Sequence, residues 1–340
     1  MWLNKRKTLI LNSLIDMYIS TLLPISSFKL SNKLNIPHSS IRKELQELES
    51  SGFVFKNTNH SGRIPTNRAL KFYINKITNS KENTDNDIRI PKINSNDFSS
   101  IAENFLNILS DETKNIGVVF LRSIFDLKFN SIKLVKIAPY RVMILIKSIR
   151  GWNFTKIIKT LNNYPETDLK SWENILNKEF SGKNLNQTFR IIRNRLSKEK
   201  EKFLKIYRQL YYLLANENLT TTEIFYKGSS NILDISFIHP EKIKSIIKTL
   251  EEKEKFSFFL NDILKSKNKN TKIIFGSDTG INEFEDLILI FSELYFTKTS
   301  IGDIGIIGPK FMEYENTIQK IKKISHEFSS ILSGLSGGKS

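Results

Sequence analysis

Ser39, Ser40, Arg42, Lys43 and Gln46 fall within a stretch of eight residues, and their types suit one task. Short polar and cationic side chains over the first turns of a helix can reach base edges and phosphates in a DNA major groove. Lys29 and the run Ser61-Gly62-Arg63 lie on either side of that stretch. A cation and a small basic turn in those places hold phosphates and set register rather than read sequence. A second set of residues has a different chemistry. Phe189, Leu196, Phe203 and Leu210 are seven apart, and Ile192, Ile206 and Leu213 fill the other apolar position of the heptad, with Glu199 interrupting the seam. Apolar residues at that spacing form a stripe that buries against another helix. The stripe serves either packing within its own domain or pairing with a second copy.

Other chemistries lack their parts. Cysteine is absent, which excludes disulfides, thiolate-bound zinc, iron–sulfur clusters and thiol catalysis, and fits a reducing, cytoplasmic compartment. His38, His60, His239 and His326 have no acidic or histidine neighbour at ligand spacing, so metal binding and base catalysis are not expected. Glu251-Glu252 and Glu283, Glu285 and Asp286 read as solvated faces. Gly338-Lys339-Ser340 lacks the first glycine of a phosphate loop, because Ser333 stands there. Gly302, Gly305 and Gly308 lack dinucleotide-binding spacing and fall inside a predicted strand. No nucleophile stands with a base, so the chain is not read as an enzyme and no cofactor is implied.

The elements that must carry these residues follow from pattern and charge. The chain has 52 basic and 35 acidic residues, a net charge of +17. Most of the basic residues are Lys and the chain is rich in Asn and Ile, so the distribution matters more than the total. Residues 1–77 hold twelve of the basic residues and four of the acidic ones, the footprint of a polyanion binder. Within them, Leu9, Ile10, Leu14, Met17 and Tyr18 mark an amphipathic helix ending before Pro24. Ser26-Ser27 caps a short helix with Phe28, Leu30 and Leu34. After the break at Pro37 a third helix runs from about Ser39 to Ser50 with Ile41, Leu45 and Leu48 inward, and Gly52 ends it. Phe53 to Lys56 and Arg63 to Pro65 form a hairpin, and Thr66 caps a last helix. Helix, helix, tight turn, helix and hairpin make a winged helix-turn-helix.

Residues 78–97 are polar and read as a linker. From 98 the pattern turns to α/β, with strands at 116–121, 131–137, 140–146, 152–158, 272–276, 287–296 and 303–307. Helices run over 98–109, 168–180 and 314–332. An antiparallel sheet with helices on one side is an α+β arrangement. The heptad stretch opens a mainly helical insertion at 188–268. It is strongly basic, with Arg190, Arg193, Arg195, Lys198, Lys200, Lys202, Lys205 and Arg208 against Glu199 and Glu201, and has no Gly or Pro from Gln187 to Asn216. No apolar run reaches the ~18 residues of a membrane span, and Asn12, Ser13 and Asp16 break any signal-peptide core.

Three runs, Ser39-Ser40-Ile41-Arg42-Lys43-Glu44-Leu45, Leu48-Glu49-Ser50-Ser51-Gly52-Phe53-Val54 and Ser61-Gly62-Arg63-Ile64-Pro65-Thr66 followed by Phe72-Tyr73, resemble the HrcA family of bacterial heat-inducible transcription repressors. Gly305-Ile306-Ile307-Gly308-Pro309-Lys310-Phe311-Met312-Glu313-Tyr314 is similar to the family's C-terminal signature, so the resemblance spans essentially the whole chain. Where the family usually has a Thr-Ile-Arg-Asn-Asp type of run, this chain has Ser40-Ile41-Arg42-Lys43-Glu44.

The resemblance implies a multidomain α+β protein: a winged helix domain over 1–77, then a GAF-like domain over 98–187 and 269–340 interrupted by an inserted dimerisation domain over 188–268. It implies a homodimer on an inverted-repeat, double-stranded DNA operator upstream of chaperone operons, with the chaperonin GroEL as the partner that keeps the repressor competent. Two other readings compete. One is a metabolite-sensing regulator using the GAF-like sheet as receptor. The other is an RNA-associated adaptor, although Phe53, Phe55, Phe72 and Tyr73 read as core rather than as stacking platforms.

Overall fold

In the computed structural model, residues 3–56, 62–79, 88–90, 97–121, 128–148, 153–183, 187–188, 191, 223–265, 270–296 and 299–334 are described. Helix α1 (Lys5–Thr21) starts at Asn4, whose side-chain oxygen accepts from the Lys7 amide at 2.7 Å, and stops where Leu22 turns left-handed. Helix α2 (Ser27–Leu34) starts at Ser26, whose hydroxyl accepts from the Lys29 amide at 3.2 Å. Each such cap contributes about 1 kcal/mol. Asn35, also left-handed, and Pro37 separate α2 from α3 (His38–Ser50), which buries Ile41, Leu45 and Leu48 as the spacing predicts.

A two-stranded antiparallel ribbon follows, β1 (Val54–Phe55) and β2 (Ile64–Pro65). Arg63, at the start of its return leg, bridges back to Ile25 through main-chain bonds of 2.8 and 2.9 Å. The Thr66 hydroxyl donates to the Gly52 carbonyl at 2.8 Å and accepts from the Ala69 amide at 3.3 Å. It thereby ties the ribbon to α4 (Asn67–Asn79).

Three expectations fail in this unit. Leu9 and Phe28, expected on buried stripes, are exposed, Phe28 by 64%. The stripe of α1 turns towards Leu11 and Ile15, and α2, with only two turns, buries Leu30 alone. Phe55, expected in the core, is 42% exposed, because Val54 takes the inward position of the short strand.

Asp97 opens α5 (Phe98–Thr113) by accepting from the Ser100 amide at 2.9 Å. Five antiparallel strands then form one sheet in the order β7-β3-β10-β9-β8. They are β3 (Ile116–Leu121), β7 (Glu223–Lys227), β8 (Thr271–Phe275), β9 (Leu287–Phe296) and β10 (Thr299–Pro309). Gly302, Gly305 and Gly308 lie along β10, on a strand rather than a phosphate-cradling loop.

All six residues of β3 are buried, so both faces of the sheet are covered. Val119 and Leu121 join the core beneath α5 and α9 (Tyr314–Gly334), where Phe105 and Phe328 stack at 4.5 Å. Ile116, Val118 and Phe120 join Ile246 and Leu250 of α7 (Pro240–Glu251) and Leu260 of α8 (Lys253–Lys265). The expectation of helices on one side only is therefore corrected. A strand with no polar face has none to give to solvent.

The sheet also draws on the stretch read as a helical insertion. β7 pairs with β3, Gly117 opposite Lys227, and α7 and α8 cover the same sheet. Conversely, β4 (Phe129–Ala138), β5 (Arg141–Ser148) and β6 (Asn153–Lys159) form a separate three-stranded sheet. Helix α6 (Glu166–Phe180) lays Leu169, Trp172, Leu176 and Phe180 against it. The Asn177 amide brackets the Ile132 main chain at 2.7 and 2.9 Å, serving the free edge as a neighbouring strand would. In the polar stretch read as linker, Ile88 is buried. Among the described residues no helix is long and apolar enough to cross a membrane. The whole is a mixed α+β architecture.

Candidate nucleic-acid interface

With Ile41, Leu45 and Leu48 turned inward, α3 exposes Ser39, Arg42, Lys43 and Gln46, while Ser40 is half-buried. Two of its acidic residues, Glu44 and Glu47, turn towards α1. Arg6 Nε lies 3.8 Å from Glu44, and Lys7 Nζ lies 2.6 Å from Glu47. The hydrogen bond from Lys7 holds the Glu47 carboxyl below its usual range and raises Lys7 in return. Arg42 and Lys43 make no ion pair among the described residues, so the exposed face of α3 is left cationic. Lys29 is exposed on α2, and the Ser27 hydroxyl is hydrogen-bonded to His38 Nε2 at 2.8 Å, which pins the starts of α2 and α3 together.

The ribbon differs from expectation at two residues. Gly62 belongs to the run that reads from sequence as a small basic turn, where a glycine would supply backbone freedom. Its φ is not left-handed. Instead its α-carbon abuts the chain before α2, where an added Cβ would sit 2.6 Å from the carbonyl carbons of Pro24 and Ile25. Glycine is needed there for close approach. Arg63 was expected to hold phosphate, but it is only 6% exposed and its Nη2 lies 3.4 Å from Glu49 Oε2. Burial pushes the guanidinium below its usual range, Glu49 opposes that, and neighbouring Arg42 adds to it.

The consequence is specific. Arg63→Ala should lower stability by about 1–3 kcal/mol, since it removes the buried partner of Glu49 and the packing of its side chain. It should leave the slope of log K against log salt unchanged, because only cations that displace counterions contribute to that slope. Thermal melts and a salt titration check both halves; a slope flattened by about one unit would return Arg63 to the phosphates.

Ser61 lies outside the described residues, as does the whole heptad set of Phe189, Ile192, Leu196, Phe203, Ile206, Leu210 and Leu213. Sequence reading missed Glu49 as the partner of Arg63, because no spacing rule links two residues joined only by the ribbon. It also missed Arg6 and Lys7 as the groups that answer the acids of α3. Adjacent cations opening one helix and two acids a turn apart on another were the available signal. His239 caps α7, its Nδ1 accepting from the Glu241 amide at 3.5 Å, and among the described residues no group of three or more acidic or histidine side chains is placed to hold a metal.

Residues 99–318 match the family model described as the HrcA protein C terminal domain. Proteins called heat-inducible transcription repressor HrcA align with nearly the whole chain. The one from Halalkalibacterium halodurans is 26% identical over 348 residues, covering 98% of this chain and 98% of its own. That from Thermoanaerobacter sp. strain X514 is 28% identical over 345 residues, with the same coverage of both. A crystal structure of a hypothetical protein superposes with a TM-score of 0.67 at 18% identity, covering 98% of this chain and 100% of that one, a likeness of fold.

Proposed function

The chain belongs to the HrcA family, and from that premise we propose that it is a dimeric repressor that binds an inverted-repeat DNA operator. Family membership makes it a transcriptional repressor and not an enzyme. One observation carries the DNA reading: α3 exposes Ser39, Arg42, Lys43 and Gln46, Arg42 and Lys43 form no ion pair among the described residues, and Glu44 and Glu47 face Arg6 and Lys7 instead. We read α1 to α4 and the ribbon as a winged helix-turn-helix. In it α3 enters the major groove, and Lys29, Ser61 and the backbone at Gly62 meet phosphates. Arg63 acts from within, holding the ribbon against α3 through Glu49.

The remaining assignments are proposals of the same standing. The five-stranded sheet with its helices is taken as the GAF-like unit, with Glu223 to Lys265 included in it, and the heptad stripe is taken as part of the dimer contact. Chaperone operons as targets and GroEL as partner follow the family, as does a cytoplasmic location for a regulator that must reach DNA. The metabolite-sensing alternative draws no support from relatives named for heat induction. Anisotropy titrations against duplex DNA, single-stranded DNA and RNA of one sequence set test the reading. Tighter binding to the duplex, falling steeply with salt, is expected. Equal or tighter binding to RNA would favour the adaptor reading and overturn this one.

A further inference from the structure

The segment after β10, Lys310-Phe311-Met312-Glu313-Tyr314, lies between the N-terminal unit and the five-stranded sheet. The Phe311 ring meets Tyr18 of α1 edge-on at 4.8 Å and Phe237 at 5.8 Å. Tyr314, buried at the start of α9, meets Tyr73 of α4 at 6.3 Å, and the Tyr73 hydroxyl donates to Asp16 at 2.5 Å. β8 and β10 are both antiparallel to β9, so their C-terminal ends share one end of the sheet. Beyond β8, Lys71 Nζ lies 2.7 Å from the Asp278 carboxylate, and the Asn67 amide donates to the Ser277 hydroxyl at 3.1 Å.

The segment is anchored from behind. Lys310 donates through its Nζ to the Asp286 carboxylate at 2.8 Å and through its main-chain amide to the Asp286 carbonyl at 2.9 Å, and Lys242 of α7 reaches the carboxylate at 2.6 Å. The segments that follow β8 and β10 thus grip α1 and α4. None of the gripping contacts uses α3.

We propose that this end of the sheet is a seat that fixes the direction of the DNA-binding unit, with Phe311, Tyr314 and Asp278 as positioning residues that set the half-site spacing the dimer accepts. The inference rests on the reading of the chain as a two-fold DNA binder. Units joined by small interfaces move relative to one another by default. A recognition helix on a loosely held unit meets the second half-site over a broad range of spacings and gains little at any one of them. A seated unit gains most at one spacing. The aromatic pairs hold the seat, and the Lys71–Asp278 pair, half exposed, sets its register.

The test uses the full chain with Phe311→Ala, with Asp278→Lys, and with Asp278→Lys combined with Lys71→Asp. Hydrogen exchange of α1 and α4 is read without DNA. Binding is read on a single half-site and on inverted repeats whose spacing steps through one helical turn, about 10 bp. Phe311→Ala and Asp278→Lys should speed exchange at the seat and keep half-site affinity within about twofold. They should also flatten the spacing profile and cost about tenfold or more at the preferred spacing. The charge swap should restore most of that loss, and because it lies at the surface it keeps the proposal testable if Phe311→Ala does not fold. An unchanged spacing profile overturns the proposal, as does an equal loss on the half-site, which would mean support of the DNA-binding unit's own fold. A parent chain indifferent to the inverted repeat refutes the repressor reading, and the seat is then refuted on its own if exchange is unchanged in both single variants.

Discussion

Leu196→Glu, Phe203→Glu and Leu210→Glu, introduced together, should give a monomer that binds a half-site as before but an inverted repeat about 10²–10⁴-fold more weakly. The expected effect is large because the proposed pairing of two chains would make the second DNA contact intramolecular, with no new contact to the duplex. Three carboxylates on one apolar stripe cannot be buried without partners, so the proposed pairing should be lost first. The surrounding segment is dense in Arg and Lys, which favours a soluble variant. Light scattering and binding titrations on the same preparation decide the matter. A variant that stays dimeric refutes the seam. A clean monomer with undiminished operator affinity refutes the link between pairing and recognition. Aggregation would assign the stripe to the core of its own domain.

The second large effect belongs to Arg42. Exposed on α3 and close enough to feel the charge of Arg63, it is the guanidinium best placed for a bidentate base contact. Arg42→Ala should cost about 1–3 kcal/mol on the operator, or roughly 5- to 150-fold, and much less on random duplex. Losses equal on both duplexes would reduce Arg42 to a phosphate contact. Lys29→Ala serves as the control with the opposite signature: a similar loss on every sequence and a salt slope smaller by about one unit.

The N-terminal unit was legible because its signals are local. A cap at Ser26, a break at Pro37, an apolar stripe at Ile41, Leu45 and Leu48 and a glycine at 52 each act within one turn of the chain, and the structure follows them. What escaped was set by contacts distant in sequence. The burial of Arg63 depends on Glu49 and on a bridge to Ile25, and nothing within four residues of Arg63 announces either. β7 was passed over because five residues with charged ends read as poorly as strand as they do as helix. Its place is set by pairing with β3, about a hundred residues earlier. The two sheets read as one from sequence because antiparallel strands of the same composition carry no mark of which neighbour they choose. The C-terminal motif was legible as a motif, yet its contacts with Tyr18 and Tyr73 became visible only once the sheet was folded.

The most direct test of the DNA reading is selection by the full chain from a pool of duplexes carrying a randomised stretch of about three helical turns, followed by sequencing of what is retained. Enrichment of a single inverted repeat whose half-sites are a fixed distance apart, bound by two chains, is expected, with enrichment lost in Arg42→Ala. A pool that stays random after repeated rounds, or that yields only unpaired half-sites bound by single chains, would contradict it.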